Sequence, residues 1–439
     1  MRIVFITNNY TPYSGGVVSS INATVDALHK AGHEVFIVTL DFLGKAHNDP
    51  PYVLRIPSLI QFTYKKNHLA IPWRPYHQMM RIIKDLKPDI LHTHHPFYLG
   101  TAALKIAQEL SLPIVFTYHS IYEGYLHYVP LPKWITQTFV TKKVLTFCHA
   151  MHGIIAPSKS IQQYLQSHGI QTPTVVIPSG LQELFIQEPF VLSSSKHKRP
   201  DSSTGSGRTG ARVFQLLYVG RFTQEKNIPF ILDVMRLLYP VRADPPTPKA
   251  TSDSGLPCPP KLFSEGRVEA LNGAYPSTSS GRTARFHLKL VGYGVEYDNL
   301  RTYAYHTLKL PESVVQFIHK PTKQELLKQY RQADLFVFPS FLDTQGLVLA
   351  EAMACGVPVI AVHGPGQQDI VRNGYNGFLI EDRDNMAKKI LDISSDKQQH
   401  NTLQQGAFET SKNYNPQVVT ENLINFYEKI NTEDARPTC

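Results

Sequence analysis

Three short constellations combine residue types that suit a phosphorylated ligand. Gly15 and Gly16 stand between an apolar run at 2–7 and a segment with helical periodicity. A glycine pair there lets backbone approach a ligand, while the next helix offers free N–H groups and the positive end of its dipole. The spacing is neither G-x-G-x-x-G nor a Walker loop, since no Lys-Ser/Thr follows. On its own such a pair is equally a structural turn. The stretch VGRFTQEKN (219–227) puts Arg221 and Lys226 just past a strand end. Two cations there can neutralise a diphosphate, more strongly as charge grows on a leaving phosphate; the plain alternative is a solvated surface pair. In PSFLDTQGLVLAEAMACGVP (339–358), seven residues separate Asp343 from Glu351. Gly346 opens a turn, and Leu347 and Val348 begin a helix whose free N–H groups can receive phosphate. The carboxylates can accept hydrogen bonds from sugar hydroxyls. Taken singly, Asp343 reads as a cap and Glu351 as a carboxylate on a helix surface.

Histidines form a second group: His92, His94 and His95 in HTHHPFYLG, and His119 in TYHSIYEGYLHYVP. H-x-H-H at a strand end has no neighbouring Cys or carboxylate in sequence, so no metal site is expected. Two segments mix cations with aromatic and apolar residues. One spans 63–87; the other, 130–147, carries Trp134, Ile135, Phe139 and Val140 beside Lys133, Lys142 and Lys143. Both suit an anionic lipid surface, and both equally suit amphipathic helices packed on a sheet.

The elements that must position these groups alternate. Strands are expected at 2–7, 34–40, 89–95, 114–120, 153–156 and 174–177, with helical patterns between them, the first at 17–31. The pattern restarts at 213–219 and continues through 286–291, 314–318, 334–338 and 357–361, with helices at 324–332 and 347–355. Such alternation implies parallel sheets covered on both faces. The fold class is therefore α/β, with two Rossmann-like doubly wound domains facing a central cleft. The expected division is 1–185, 186–411 and a helical segment 412–432 closing the chain. Segments 192–212 and 240–285 are rich in Ser, Pro, Gly, Thr and Arg and share SGRTGAR and SGRTAR. They read as related solvent-facing insertions.

At 439 residues the chain is long enough for two domains. The net charge of +9 fits anionic partners, although the two insertions inflate it. No zinc-finger spacing or basic helix array points to nucleic acid. Cys148, Cys258, Cys355 and Cys439 are scattered without a C-x-x-C pair, as in a reduced cytoplasmic protein. No apolar stretch is long enough to span a bilayer, so any membrane contact is expected to be peripheral.

The Gly15-Gly16 loop, YVGRFTQEKN and the Asp343-to-Glu351 element followed by AMACGVPVIA together resemble family 4 of the retaining glycosyltransferases, which have the GT-B fold. The resemblance covers nearly the whole chain outside the insertions. HTHHPFYLG, TYHSIYEGYLHYVP and DTQGLVLAEAMA are similar to stretches of diacylglycerol glucosyltransferases. The resemblance implies that Gly16 meets the donor diphosphate and that His119 contacts the transferred sugar. It implies that Arg221 and Lys226 stabilise the leaving nucleotide diphosphate. Glu351 would hold ribose hydroxyls and Asp343 a sugar hydroxyl. The family usually has Glu at 343, so Asp moves this carboxylate back by about one methylene. The implied substrate is a nucleotide sugar, UDP-glucose, with no cofactor and no metal. The implied acceptor is a membrane lipid such as diacylglycerol at the inner face, with Tyr122, Glu123, Trp134, Lys142 and Lys143 as candidate acceptor or membrane contacts. A carrier-linked or soluble sugar acceptor, or a non-catalytic nucleotide-sugar-binding protein, are the alternatives. All of these readings require the Gly16 turn and the cations Arg221 and Lys226 to face one another across an interdomain gap.

Overall fold

A computed structural model describes residues 1–11, 15–42, 48–64, 67–123, 133–186, 212–239 and 285–432, leaving aside the side chains of 62–69 and 133–135. The insertions expected at 192–212 and 240–285 lie outside the described residues except at their edges, Arg212 and Arg285. The run RIVFIT forms β1 (Arg2–Thr7), and every residue after Arg2 is buried. That is the signature of a parallel strand covered on both faces, and it explains why apolar runs rather than alternating patterns mark the strands here.

Eight further strands follow in the first half: β2 (Glu34–Leu40), β3 (Val53–Ile56), β4 (Ser58–Tyr64), β5 (Asn67–Pro72), β6 (Ile90–Thr93), β7 (Ile114–Thr117), β8 (Gly153–Ala156) and β9 (Thr174–Val176). Seven of them make a sheet in the order β3-β2-β1-β6-β7-β8-β9, with every pairing parallel. The second half contributes β10 (Phe214–Arg221), β11 (Phe286–Tyr293), β12 (Val315–His319), β13 (Leu335–Phe338), β14 (Val359–Val362) and β15 (Gly377–Ile380). These form a second sheet, β12-β11-β10-β13-β14-β15, also parallel throughout.

Each sheet reverses its winding once, between β1 and β6 in the first and between β10 and β13 in the second. In open parallel sheets the crevice beyond the carboxyl ends of the strands at such a reversal is where ligands bind. Gly15-Gly16 follow β1, and His94-His95 follow β6. Arg221 ends β10 and Lys226 follows it, and Asp343 follows β13. The glycine pair, the two cations and Asp343 thus lie at the reversals, while His119 follows β7, next to β6 in the first sheet.

The closing helix, Pro416–Thr432, belongs by packing to the first sheet. Val419, Leu423, Phe426, Tyr427 and Ile430 share a core with Ile3, Phe5, Ile21, Val25 and Leu28. A Cβ on Gly153 would stand 2.5 Å from the Phe426 ring, so the helix seats against strand β8 where that residue has no side chain. In the opposite direction, Leu181 and Phe185 pack into the core of the second sheet, whereas Ile177 packs in the first. Side-chain packing thus changes from one core to the other between 177 and 181. Apolar side chains, not the composition of the linker, decide on which side the chain belongs.

The segment 63–87 differs from its reading as one mixed basic stretch. It ends an antiparallel hairpin, β4 with β5, and then forms the helix Pro75–Leu86. Among the described residues no helix is long and apolar enough to cross a membrane.

Candidate active site between the two sheets

The helix Gly16–Lys30 starts without a side-chain cap and without an acidic residue in its first turn, so its leading N–H groups remain available. Gly15 is extended (φ 169°), a conformation open to any residue. A Cβ at Gly15 or Gly16 would meet nothing within 4 Å. Neither backbone angle nor packing within the chain calls for glycine at Gly15, and the space beside the pair is open. Pro12–Ser14 lie outside the described residues.

On the opposite side, neither cation is bare. Lys226 donates to both Asp343 oxygens, at 2.6 and 2.9 Å, and the two side chains are only 12% and 19% exposed. Burial alone would raise the Asp343 pKa, but Lys226 beside it, helped by Ser340, holds the carboxyl below its usual range. Arg221 reaches Glu225 Oε1 at 3.3 Å; that carboxylate is buried and also accepts from Thr223 Oγ1 at 2.8 Å. The Arg221 side chain stays 41% exposed.

Gly346 precedes the helix Leu347–Ala354 in the left-handed region (φ 71°), which favours glycine. This helix too has no side-chain cap and no first-turn acid, and Leu347 and Val348 are half-buried at its start. Glu351 is buried in the helix and accepts the Tyr330 hydroxyl at 2.7 Å. Burial pushes its carboxyl up to about 7.

The loop Asp343-Thr344-Gln345 ties the halves together. Thr344 Oγ1 donates to the His119 carbonyl at 2.7 Å, and the Thr344 carbonyl accepts from Ser158 Oγ at 2.7 Å. Gln345 grips the Ser179 backbone, accepting from its N–H at 2.9 Å and donating to its carbonyl at 3.1 Å. Ser179 Oγ in turn accepts from Ser20 Oγ at 2.8 Å, inside the helix that the glycine pair begins. A further tie joins Ser160 to Asp369. Lys226, Asp343, His119 and the Gly16 helix are therefore held in one connected cluster across the domain boundary.

The histidines bond to other groups and to one another. His92 reaches Tyr427 Oη through Nδ1 and Thr117 Oγ1 through Nε2, each at 2.6 Å. His95 Nδ1 accepts the Asn8 N–H at 3.2 Å. His94 Nδ1 and His119 Nε2 lie 2.9 Å apart. Burial holds His92 and His119 down to about 3 and His95 to about 4, and it lowers His94 well below its ordinary value, so all four imidazoles are neutral. Among the described residues no group of three potential ligands could hold a metal ion.

The candidate acceptor and membrane contacts are dispersed. Tyr122 packs edge-on against Phe97 and Tyr118. Glu123 Oε1 accepts from Thr141 Oγ1 at 2.8 Å and from Tyr164 at 3.0 Å. In the helix Lys133–His149, Val144, Phe147 and Cys148 are buried and Val140 packs against the core, so most of the apolar face turns inward. Lys143 lies over the Phe97 ring, 5.7 Å from its centroid, while Lys142 is exposed near Phe139, itself 66% exposed. The side chain of Trp134 is outside the described set.

Residues 14–182 match the family model described as Glycosyltransferase Family 4, and residues 261–410 match that described as Glycosyl transferases group 1. With these matches on its two sheets, the chain is a glycosyltransferase of the GT-B fold that uses a nucleotide sugar. It is 28% identical over 414 residues to the alpha-monoglucosyldiacylglycerol synthase of Streptococcus pneumoniae, covering 94% of this chain and 82% of the relative. To the enzyme of the same name from Acholeplasma laidlawii it is 24% identical over 437 residues, covering 97% and 96%. The Anabaena protein HepE, solved with UDP-glucose, superposes with a TM-score of 0.66 at 16% identity over 98% of this chain and 100% of that one.

The clamp residues Ser158, Ser179, Thr344 and Gln345, with His94 and Tyr427, were not assigned roles from sequence. Ser, Thr and Gln are common types, and their partners stand up to 225 positions away, in the case of Thr344 and His119. The one local hint was Gln345 beside Gly346.

Proposed function

We propose that the protein transfers glucose from UDP-glucose to the free hydroxyl of diacylglycerol, with retention of configuration, at the surface of a membrane. The supporting observation is the connected cluster at the domain boundary. It joins the groups suited to phosphate, Lys226 and the Gly16 helix, to those suited to sugar, His119 and Asp343. Glucose and diacylglycerol are carried by the names of the two synthases above.

In this reading the diphosphate lies between the start of the Gly16 helix and the Arg221–Lys226 pair, with Leu347 and Val348 N–H groups at hand. Glu351 takes the ribose hydroxyls and Asp343 a sugar hydroxyl. The bond from the anomeric carbon to the β-phosphate oxygen breaks while the acceptor oxygen bonds that carbon from the same face. The acceptor proton passes to the leaving phosphate oxygen. No protein base is required, and the protein contributes position and charge. Lys226 is already oriented by Asp343, so it needs little reorganisation to meet the growing phosphate charge.

The membrane contact is assigned to the hairpin and the helix after it. Leu59, Ile60 and Trp73 are each more than half exposed. Arg74 lies 5.5 Å from the Trp73 ring centroid, and Arg81, Lys84 and Lys87 are exposed on or just after the following helix. Apolar tips beside cations fit an anionic headgroup layer.

Lys226→Ala should lower turnover by about 100-fold or more, the scale of losing one preorganised charge contact in a transition state. The measurement is glucosyl transfer from UDP-glucose to diacylglycerol in mixed vesicles, with circular dichroism to confirm folding. Turnover near that of the parent in a folded variant would overturn the role.

A further inference from the structure

The strand-end histidine His94 is buried, and its two ring nitrogens have different surroundings. Nδ1 lies 2.9 Å from His119 Nε2. Nε2 is sealed from solvent and has no hydrogen-bond partner among the described residues. The rings of His94 and His119 lie within 26° of parallel with centroids 5.2 Å apart. On the other side, Phe5 packs against His94 at 5.0 Å and His92 stacks on it at 4.3 Å, so aromatic rings crowd it.

A neutral imidazole carries one N–H, and a 2.9 Å contact between two such rings needs one donor and one acceptor. That leaves two arrangements. In the first, His119 holds its proton on Nε2 and donates to His94 Nδ1. His94 must then carry its proton on Nε2, as a buried donor with no acceptor. In the second, His94 holds its proton on Nδ1 and donates to His119 Nε2. His94 Nε2 is then an unprotonated nitrogen in apolar surroundings. Orphaned buried N–H groups are among the rarest features of folded proteins, and an underused acceptor is less costly. The second arrangement wins. It obliges His119 to carry its proton on Nδ1.

We propose that His94 is a positioning residue that locks His119 in the Nδ1–H form, so that His119 faces the cleft as a hydrogen-bond donor and not as a base. His119 Nδ1 has no hydrogen-bond partner among the described residues and is not among the buried unpartnered atoms. The His119 carbonyl is pinned by Thr344, which fixes the backbone from which this donor projects. His119 Nε2, the nitrogen that could act as a base, is occupied by His94. A donor presented to the cleft suits a sugar hydroxyl oxygen or a phosphate oxygen. Neutrality of the ring means that the donor is retained across the physiological range and that no protonation step gates it.

The functional consequence rests on the proposed transferase reading, but the proton position does not, so the two are tested separately. In the ligand-free protein, nitrogen-15 spectra of histidine-labelled samples report which nitrogen carries the proton. His119 should show a protonated Nδ1 and an unprotonated Nε2. A protonated Nε2 on His119 overturns the proposal whatever the enzyme does. Substitutions then separate the donor from ring volume. The side-chain amide N–H of His94→Asn stands near the place of Nδ1 and keeps a donor to His119. That of His94→Gln reaches toward the Nε2 position, and His94→Phe keeps volume without a donor. His119 should remain in its Nδ1–H form in His94→Asn and become a mixture in the other two. Glucosyl transfer should fall by about tenfold in His94→Gln and His94→Phe, the scale of one lost hydrogen bond, and by clearly less in His94→Asn. An unchanged His119 spectrum in folded His94→Phe would refute the locking role. Changed spectra with no transfer in any protein, including the parent, would leave the lock standing and count against the transferase reading alone.

Discussion

At the scale of single residues, the site depends on charges held in pairs. Asp343 stands where the family usually has Glu, and its shorter side chain is engaged by Lys226 through both oxygens. Its depressed pKa contributes stability that is present above the ordinary carboxylate value and lost as pH falls through the folded value. Glu351 behaves in the opposite way. Its folded value of about 7 lies above the 4.5 of an unperturbed glutamate. The contribution is fully present below the unfolded value and is lost as pH rises through the folded one. Glu351→Gln keeps an acceptor for Tyr330 and cannot ionise. Against this variant, the parent should lose stability on the order of 3 kcal/mol between pH 4.5 and 7. Denaturant melts across that range test the point, and parallel pH curves for the two proteins would contradict it.

At the scale of elements, the important contacts cross between domains through one loop. Thr344→Val removes the donor to the His119 carbonyl. Gln345→Ala removes both bonds to Ser179, and with them the link through Ser20 to the Gly16 helix. Each lost hydrogen bond is worth about 1 kcal/mol. These variants should leave each sheet folded yet lower kcat by about tenfold, because in the proposed reaction the groups that act come from both domains. Steady-state kinetics with melting curves check this; kinetics unchanged in Gln345→Ala would show that the clamp does not align the site. Arg221, Lys226, Asp343 and Glu351 stand out as candidates in the sequence because each sits in a short string beside a strand or helix boundary. The strands were legible because parallel strands buried on both faces are continuous apolar runs. The clamp was not, since a glutamine gripping a distant backbone leaves no local pattern. Nor was the β4–β5 hairpin, whose second strand lies in the segment 63–87 that reads as a mixed basic stretch. The bond between His92 and Tyr427, 335 positions apart, is invisible to any local reading.

At the scale of the whole molecule, two features bear on the acceptor. The closing helix covers a face of the first sheet, so the last described element of the chain supports the domain that carries the proposed membrane contact. The exposed Leu59, Ile60, Trp73, Arg74, Arg81 and Lys84 give that domain an apolar and cationic edge. Vesicles containing phosphatidylglycerol should carry the protein in flotation, and neutral vesicles should carry less. Raising salt should weaken binding, since a Debye length shrinks from about 10 Å at 0.1 M to about 3 Å at 1 M. Trp73→Ser with Arg74→Ser should release the protein while leaving the fold intact. Equal recovery on both kinds of vesicle, insensitive to salt, would count against this surface.

The measurement that tests the central claim most directly is product analysis. The purified protein is incubated with UDP-glucose and diacylglycerol in anionic vesicles, and the lipid product is examined by proton NMR. The account predicts glucosyl diacylglycerol with the small anomeric coupling of an α-linkage, matching the configuration of the donor. A β-linked product would contradict same-face displacement. Glucosylation of soluble sugars with none of the lipid would contradict the assigned acceptor.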